Sequence, residues 1–230
     1  MKITERQSIF RIVIVLIIIA VIILISIFTE KNNQKAMAAQ SYDTLQLFNG
    51  NDLDDWTIVL KDSLADPDST FYVKQGHIYT TGEPFGYIRT NESFSDYRLL
   101  VEWRWVDEPG NSGVFLHIQD DKIWPVCLEC QLMNQKAGDF VCFPGFDFKE
   151  HVNKEEWAVA KFEESSEKPS GEWNLYDIRV VQDSVTIYVN DVLQNIATET
   201  NYSEGYIALQ SEGAPLEFRN VYLLRRRSNE

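Results

Sequence analysis

Hydrophobic and polar positions alternate strictly along residues 97–119 (YRLLVEWRWVDEPGNSGVFLHIQ). Leu99, Val101, Trp103 and Trp105 fall on one side of a strand, with Arg98, Glu102 and Arg104 on the other. Glu108-Pro109-Gly110-Asn111 then supplies turn chemistry, because proline fixes φ and glycine accepts φ > 0. A second alternating run sets Val114, Leu116 and Ile118 against Phe115, His117 and Gln119. The spacing predicts a central hairpin. A strand face carrying Glu, Arg, aromatic and His side chains suits the floor of a cleft. It suits equally an exposed face with cross-strand ion pairs, which contribute little.

Short strand-like runs recur on both sides of this stretch. Phe71–Lys74 and His77–Tyr79 flank a Gln75-Gly76 turn, and Tyr87–Thr90 follows a Gly/Pro-rich loop. Residues 126–133 (VCLECQLM) alternate again, with Cys127, Glu129, Gln131 and Met133 on one side. Leu175–Val181, Ser184–Val189, Tyr206–Gln210 and Leu216–Leu224 complete the pattern, and both Glu102 and Glu129 fall on strands expected to pair into one sheet. Residues 135–172 show no clear period and read as a long functional loop, with a short helix near 154–161. Regular short strands and few helical patterns predict an all-β sandwich of two antiparallel sheets.

The N-terminus departs from this pattern. Ile12–Phe28 is apolar except for Ser26, and 17 residues approach the length needed to cross a bilayer. Lys2, Arg6 and Arg11 precede it, which keeps the N-terminus cytoplasmic and puts the body in the periplasm or outside the cell. A cleaved signal peptide ending near Ala36-Met37-Ala38 is the rival, but the apolar run is longer than the usual h-region and stops well short of that motif. The expected organisation is therefore a membrane anchor at 1–29, a polar linker at 30–43 and a globular domain at 44–226.

Charge narrows the partners. The 230 residues carry a net charge of −14. Setting aside residues 1–40 removes five of 21 basic and two of 35 acidic side chains, leaving 16 against 33, or −17. Such a body repels nucleic acid and anionic surfaces and suits neutral ligands. The three cysteines are an odd set. Cys127 and Cys130 point to opposite faces of one strand, and no second Cys or His pair completes a zinc site. They read as packing residues, with a Cys130–Cys142 disulfide left open.

Glu102 with Arg104, Glu129 with Gln131, Gln210 with Glu212 and Glu217 with Arg219 each share a strand face. These pairs would line a sugar-sized groove with donors and acceptors; surface ion pairs are the plain alternative. Because the unperturbed pKa of histidine lies near neutrality, His117 could act as a base or metal ligand, or as a hydrogen-bonded structural residue; His77 and His151 carry no assignment. The chain has no nucleophile elbow, phosphate loop or HExxH. Residues 129–134 (ECQLMN) also lack the paired acids that a sandwich-fold glucanase carries on one strand for retaining hydrolysis.

Seven segments in order carry a family resemblance: LFNGNDLDDW at 47–56, GEPFGYIRT at 82–90, FSDYRLLVEWRW at 94–105, GNSGVFLHIQ at 110–119, CLECQLMNQKAGDF at 127–140, KPSGEWNLYDIRV at 168–180, and GYIALQSEG with LEFRNVYL at 205–224. Together they resemble the 3-keto-disaccharide hydrolase family. The resemblance implies a concanavalin-like jelly roll acting on sugars with a C3 ketone, which a partner sugar 3-oxidoreductase would install. The ketone acidifies the C2 proton, so that proton removal, elimination at C1 and hydration give net hydrolysis. On this resemblance Glu129 is the leading base or acid, Glu102 the second and His117 a further acid–base or metal candidate. Arg89 and Arg104 would stabilise the enolate oxygen or hold sugar hydroxyls. Asn111, Gln131, Trp173, Gln210, Glu212 and Arg219 would contact the sugar. A divalent metal is a candidate cofactor, with no ligand set assigned. A non-catalytic carbohydrate-binding module is the alternative of a different class, and an adhesion or scaffold domain a third.

Overall fold

A computed structural model describes residues 42–226. The predicted anchor and nearly all of the linker lie outside them. Among the described residues no helix is long and apolar enough to cross a membrane. The strands are β1 (Tyr42–Gln46), β2 (Trp56–Leu60), β3 (Phe71–Lys74), β4 (His77–Thr80), β5 (Gly86–Thr90), β6 (Tyr97–Trp105), β7 (Gly113–Ile118) and β8 (Leu128–Gln131). They continue as β9 (Phe140–Cys142), β10 (Ala158–Val159), β11 (Asn174–Val181), β12 (Ser184–Val189), β13 (Val192–Ala197), β14 (Tyr206–Ser211) and β15 (Leu216–Arg226). One helical turn, α1 (Pro67–Thr70), is capped by the Asp66 side chain.

These strands form two antiparallel sheets stacked as a jelly-roll-like sandwich. The first runs β13-β12-β11-β6-β15-β4-β3, with β1 also on β15; the second runs β10-β9-β8-β7-β14-β5-β2. Alternation decides what is buried. Leu99, Val101 and Trp103 of β6 face Val114 and Leu116 of β7 and Leu128 and Cys130 of β8 within one core, and all are inaccessible to solvent. Trp103 and Trp105 meet edge-on at 5.9 Å in that core. Truncating a buried tryptophan such as Trp103 would cost about 3–5 kcal/mol.

The predicted central hairpin is not formed. β6 pairs with β11 and β15, β7 with β14 and β8, so residues 106–112 carry the chain from one sheet to the other. At this crossing a Cβ on Gly110 would lie 2.4 Å from the Ala214 methyl, which only glycine avoids. Alternation reveals which side of a strand is apolar, and strands of facing sheets present the same signal as strands of a hairpin. The expected single sheet for Glu102 and Glu129 fails for the same reason.

Three smaller corrections follow. All three cysteines are buried and free; β8 pairs Leu128 with Cys142 and Cys130 with Phe140, which leaves Cys130 and Cys142 diagonal to one another and unbonded. The expected helix near 154–161 is instead the short strand β10, zipped onto β9. His117 has φ +56°, and the ladder with β14 shifts at this point, pairing Ala208 with Phe115 but Tyr206 with Ile118. The bulge turns His117 inward, against Tyr97 and Phe146.

Candidate functional site

The two sheets divide the sequence-predicted residues into two groups, with His117 in the core between them. On the outer face of the first sheet sit Glu102, Arg104, Trp173 and Arg219. Every charge there is matched. Arg219 bonds Glu102 at 2.7 Å and Arg104 bonds Glu217 at 2.8 Å. Both guanidiniums lie over the Trp173 ring, at 3.9 and 4.6 Å from its centre. Asn220 holds the second Glu102 oxygen. This is a closed ion-pair and cation–π assembly with little left to offer a ligand.

The outer face of the second sheet carries the remaining residues: Arg89 on β5, Glu129 and Gln131 on β8, and Gln210 on β14. Asn111 and Glu212 bridge through their backbones at its edge. Glu129 is 3 % exposed and its Oε1 has no hydrogen-bond partner. Its side chain lies over Gly113, where a Cβ would come 2.3 Å from that oxygen. Burial pushes the Glu129 carboxyl well above the usual carboxylate range, and the charge of Glu212 pushes it further. Gln210 is equally buried, and its Oε1 is also without a partner.

Glu212 has a different environment. Burial holds its pKa above the usual carboxylate value, hydrogen bonding with the Asn111 and Gln210 side chains offsets only part of that rise, and Glu83 adds a smaller upward push. Both carboxyls are pushed up, Glu129 further than Glu212, so Glu212 is the first of the two to ionise.

Glu212 borders an open cleft of about 630 Å³, shared with Lys61, Asp62, Glu83, Phe85 and Trp124. One wall is aromatic. Trp124 packs on Phe85 at 4.4 Å and on Phe143 at 5.7 Å, and Phe143 in turn touches Phe115 and Trp157. Trp124 and Trp157 are about half exposed, at 47 % and 49 %. The wall stands on loops without a hydrophobic period, so the sequence offered no signal beyond the density of aromatic residues between 120 and 157.

Arg89 anchors this wall. Its guanidinium bonds both oxygens of Asp121 at 2.5 and 2.8 Å and covers the Tyr206 ring at 4.2 Å. The Tyr87 hydroxyl donates to the Lys122 carbonyl of the same loop. Arg89 is thus committed to the loop that carries Trp124. Gln131 is similarly engaged, its Oε1 accepting from the Met133 N–H at 2.7 Å. His117 is fully buried, and neither ring nitrogen has a partner of normal geometry. Desolvation lowers its pKa to about 4, against a smaller upward pull from the Tyr202 backbone. Such a ring sits in the core with its neutral form favoured.

For a metal, the second-sheet face fits poorly. Among the described residues, the one convergence of three Cys, His, Asp or Glu ligand atoms is Cys142, Asp147 and His151, and it includes neither Glu129 nor Glu212.

The sequence profile of the 3-keto-alpha-glucoside-1,2-lyase-like domain matches residues 43–224. No curated protein matches in sequence. Among solved structures, a Parabacteroides distasonis ATCC 8503 protein classed provisionally as a glycosyl hydrolase superposes with a TM-score of 0.60 at 18% identity, covering 84% of this chain and 97% of its own. Bacillus licheniformis β-glucanase gives 0.54 at 12% identity, covering 82% and 99%. The carbohydrate binding module CBM66 from Bacillus subtilis gives 0.53 at 17% identity, covering 74% and 94%. At these identities the likeness is one of fold.

Proposed function

Because the chain belongs to the 3-keto-alpha-glucoside-1,2-lyase-like domain family, a carbohydrate-active jelly-roll family, we propose that it cleaves 3-keto-glycosides by elimination on the outer face of its second sheet. The observation that supports this reading most directly is a pair of unlike carboxyls, Glu212 bordering an aromatic-walled cleft and dry Glu129 buried behind it.

A C3 ketone makes the neighbouring C2 proton acidic. Glu212, ionised and bordering the cleft, takes that proton as general base. Negative charge develops on the ketone oxygen, and Lys61, the cation lining the cleft, stabilises it. The C1–oxygen bond then breaks, and Glu129 in its acid form supplies the proton to the departing oxygen. Asn111 and Gln210 orient Glu212. Trp124 and Phe85 offer an apolar surface to the sugar ring. Water addition across the new C1–C2 double bond, with the two carboxyls in exchanged roles, completes net hydrolysis. The glycosidic bond breaks without a covalent glycosyl-enzyme.

In this reading residues 1–29 tether the domain to a membrane, facing the periplasm or cell exterior. The substrate comes from an oxidoreductase that converts a C3 hydroxyl into a ketone. A second reading, a carbohydrate-binding module, draws support from the half-exposed Trp124 and Trp157. Incubating the full chain with a chromogenic 3-keto-glucoside and with the unoxidised glucoside separates them. Release from the keto sugar alone, lost in both Glu129→Gln and Glu212→Gln, supports elimination. Saturable sugar binding without release from either compound overturns it and leaves the binding module.

A further inference from the structure

We propose that Cys142, Asp147 and His151 form a binding site for a zinc-type divalent cation, separate from the carboxyl pair. The Cys142 Sγ, one Asp147 oxygen and one His151 ring nitrogen all lie within 4.8 Å of one another. Thiolate, imidazole and carboxylate are the three side-chain ligands zinc takes.

The surroundings are arranged as they are around metal-bound histidines. The Nε2 of His151 sits 2.7 Å from the Glu156 carbonyl oxygen, which can only accept, so this nitrogen carries the hydrogen. That fixes the ring and turns Nδ1 toward Asp147 Oδ1, 3.0 Å away. A second ring nitrogen held by a backbone carbonyl is the usual outer support of a metal-ligating histidine. Asp147 is itself fixed on the backbone side, where its N–H donates to the Asn201 side chain and its carbonyl accepts from the Asn201 N–H. A cation is already drawn to this carboxylate: the Lys154 ammonium rests on Asp147 Oδ1.

Access and fit are both favourable. Cys142 and His151 are buried, Asp147 is half-buried and Lys154 is exposed, so the site has a dry floor and an open mouth. Tetrahedral zinc ligands stand roughly 3.5 Å apart. Binding would draw donors that already lie within 4.8 Å of one another in to that spacing, with Lys154 withdrawn and water in the fourth position. On binding, the sulfur–metal bond forms as the thiol S–H breaks, and the proton passes to solvent.

The site closes a clasp. Cys142 ends β9, its N–H bonds the Trp157 carbonyl at 2.8 Å, and His151 holds the next residue back, Glu156. A metal here would tie the 143–157 excursion to the sheet and stiffen the part of the aromatic wall that carries Phe143 and Trp157.

The test uses the full chain in detergent, reduced and freed of metal with a chelator. Titration with zinc against a chromophoric competitor should give one ion per chain. Cobalt should produce a sulfur-to-metal charge-transfer band and the visible bands of a tetrahedral ion. Cys142→Ser and His151→Gln should each weaken binding more than about 100-fold and remove those bands. Cys127→Ala should leave them unchanged, and Lys154→Ala, which removes the competing ammonium, should tighten binding severalfold. A Cys142→Ser variant that folds, as judged by circular dichroism, yet binds zinc as the parent does overturns the proposal. So does a parent chain that takes up no zinc at micromolar concentration.

Discussion

Gly113→Ala tests the role of Glu129 without altering any polar group. Gly113 has no positive φ, so its backbone accommodates alanine without strain. The added methyl, however, would stand 2.3 Å from Glu129 Oε1 and 2.9 Å from its Cδ and Cγ. Carbon–oxygen contacts settle at about 3.3 Å or more, so the carboxyl has to move by about 1 Å. Displacing a reacting group by that distance costs about 10²-fold in rate. The strain of overpacking one methyl is about 1–3 kcal/mol, and the lower end applies because a side-chain terminus can give way. The expected result is a fall of about 100-fold in kcat on a 3-keto-glucoside, with KM little changed and a small loss of Tm. Steady-state kinetics and thermal unfolding on the same preparation read both quantities. Full activity with an unchanged Tm would refute the placement of Glu129 over Gly113. Full activity with a lowered Tm would refute its part in the chemistry.

Three further predictions rest on separate observations. The folded chain holds His117 neutral down to about pH 4, whereas the unfolded chain protonates it near 6.5, so stability is lost as pH falls through that window, by roughly 3 kcal/mol in all; urea unfolding at pH 7 and 4.5 should show His117→Phe losing less than the parent, and parallel losses would contradict the buried neutral ring. Glu129 has the opposite sign: its raised folded pKa means stability falls as pH rises above the unfolded value of 4.5, so the Tm of Glu129→Gln should gain on the parent with increasing pH, and a constant difference would place the carboxyl in water. Arg89→Met should free the loop bearing Trp124, raising KM severalfold while changing stability by less than about 1 kcal/mol, because Asp121 is half exposed; an unchanged KM would separate that loop from the substrate.

The sandwich class was legible because alternation is a direct consequence of a half-buried strand: Leu99, Val101, Trp103, Leu128 and Cys130 all face the core as the pattern implied. Same-face grouping was legible too, since Glu129 with Gln131 and Gln210 with Glu212 required only a period of two. Sheet membership was not. β6 and β7 carry the same alternation whether they pair with each other or face each other across a core, and so Glu102 was grouped with Glu129. His117 was misplaced by a single bulge that the residue types do not announce. Trp124, Phe143 and Trp157 come from loops, where no repeating backbone geometry links residue order to direction. The Cys142, Asp147 and His151 set spans only ten residues, yet it forms because β9 ends where the excursion folds back, which is a tertiary event.

The same residue types take opposite meanings on the two outer faces, and hydrogen-bond satisfaction separates them. Glu102 gives one oxygen to Arg219 and the other to Asn220, and both arginines of that face are stacked on Trp173. Glu102, Arg104 and Arg219 are partly open to water while Glu217 is buried, and both ion pairs run between β6 and β15, so the assembly acts mainly as a brace between these strands. Glu129 and Gln210 instead each hold a buried oxygen with no partner. Leaving such a group unsatisfied costs about 1–3 kcal/mol, more if it is charged. For Glu129 that cost is smallest when the carboxyl is neutral, which is the state in which it can donate a proton. A face used only for packing would gain by replacing both residues with apolar ones of similar size. Under the proposed function, a substrate's hydroxyls and departing oxygen would complete these polar groups of the second sheet, with Glu129 and Glu212 carrying the chemistry while Glu102 serves the brace.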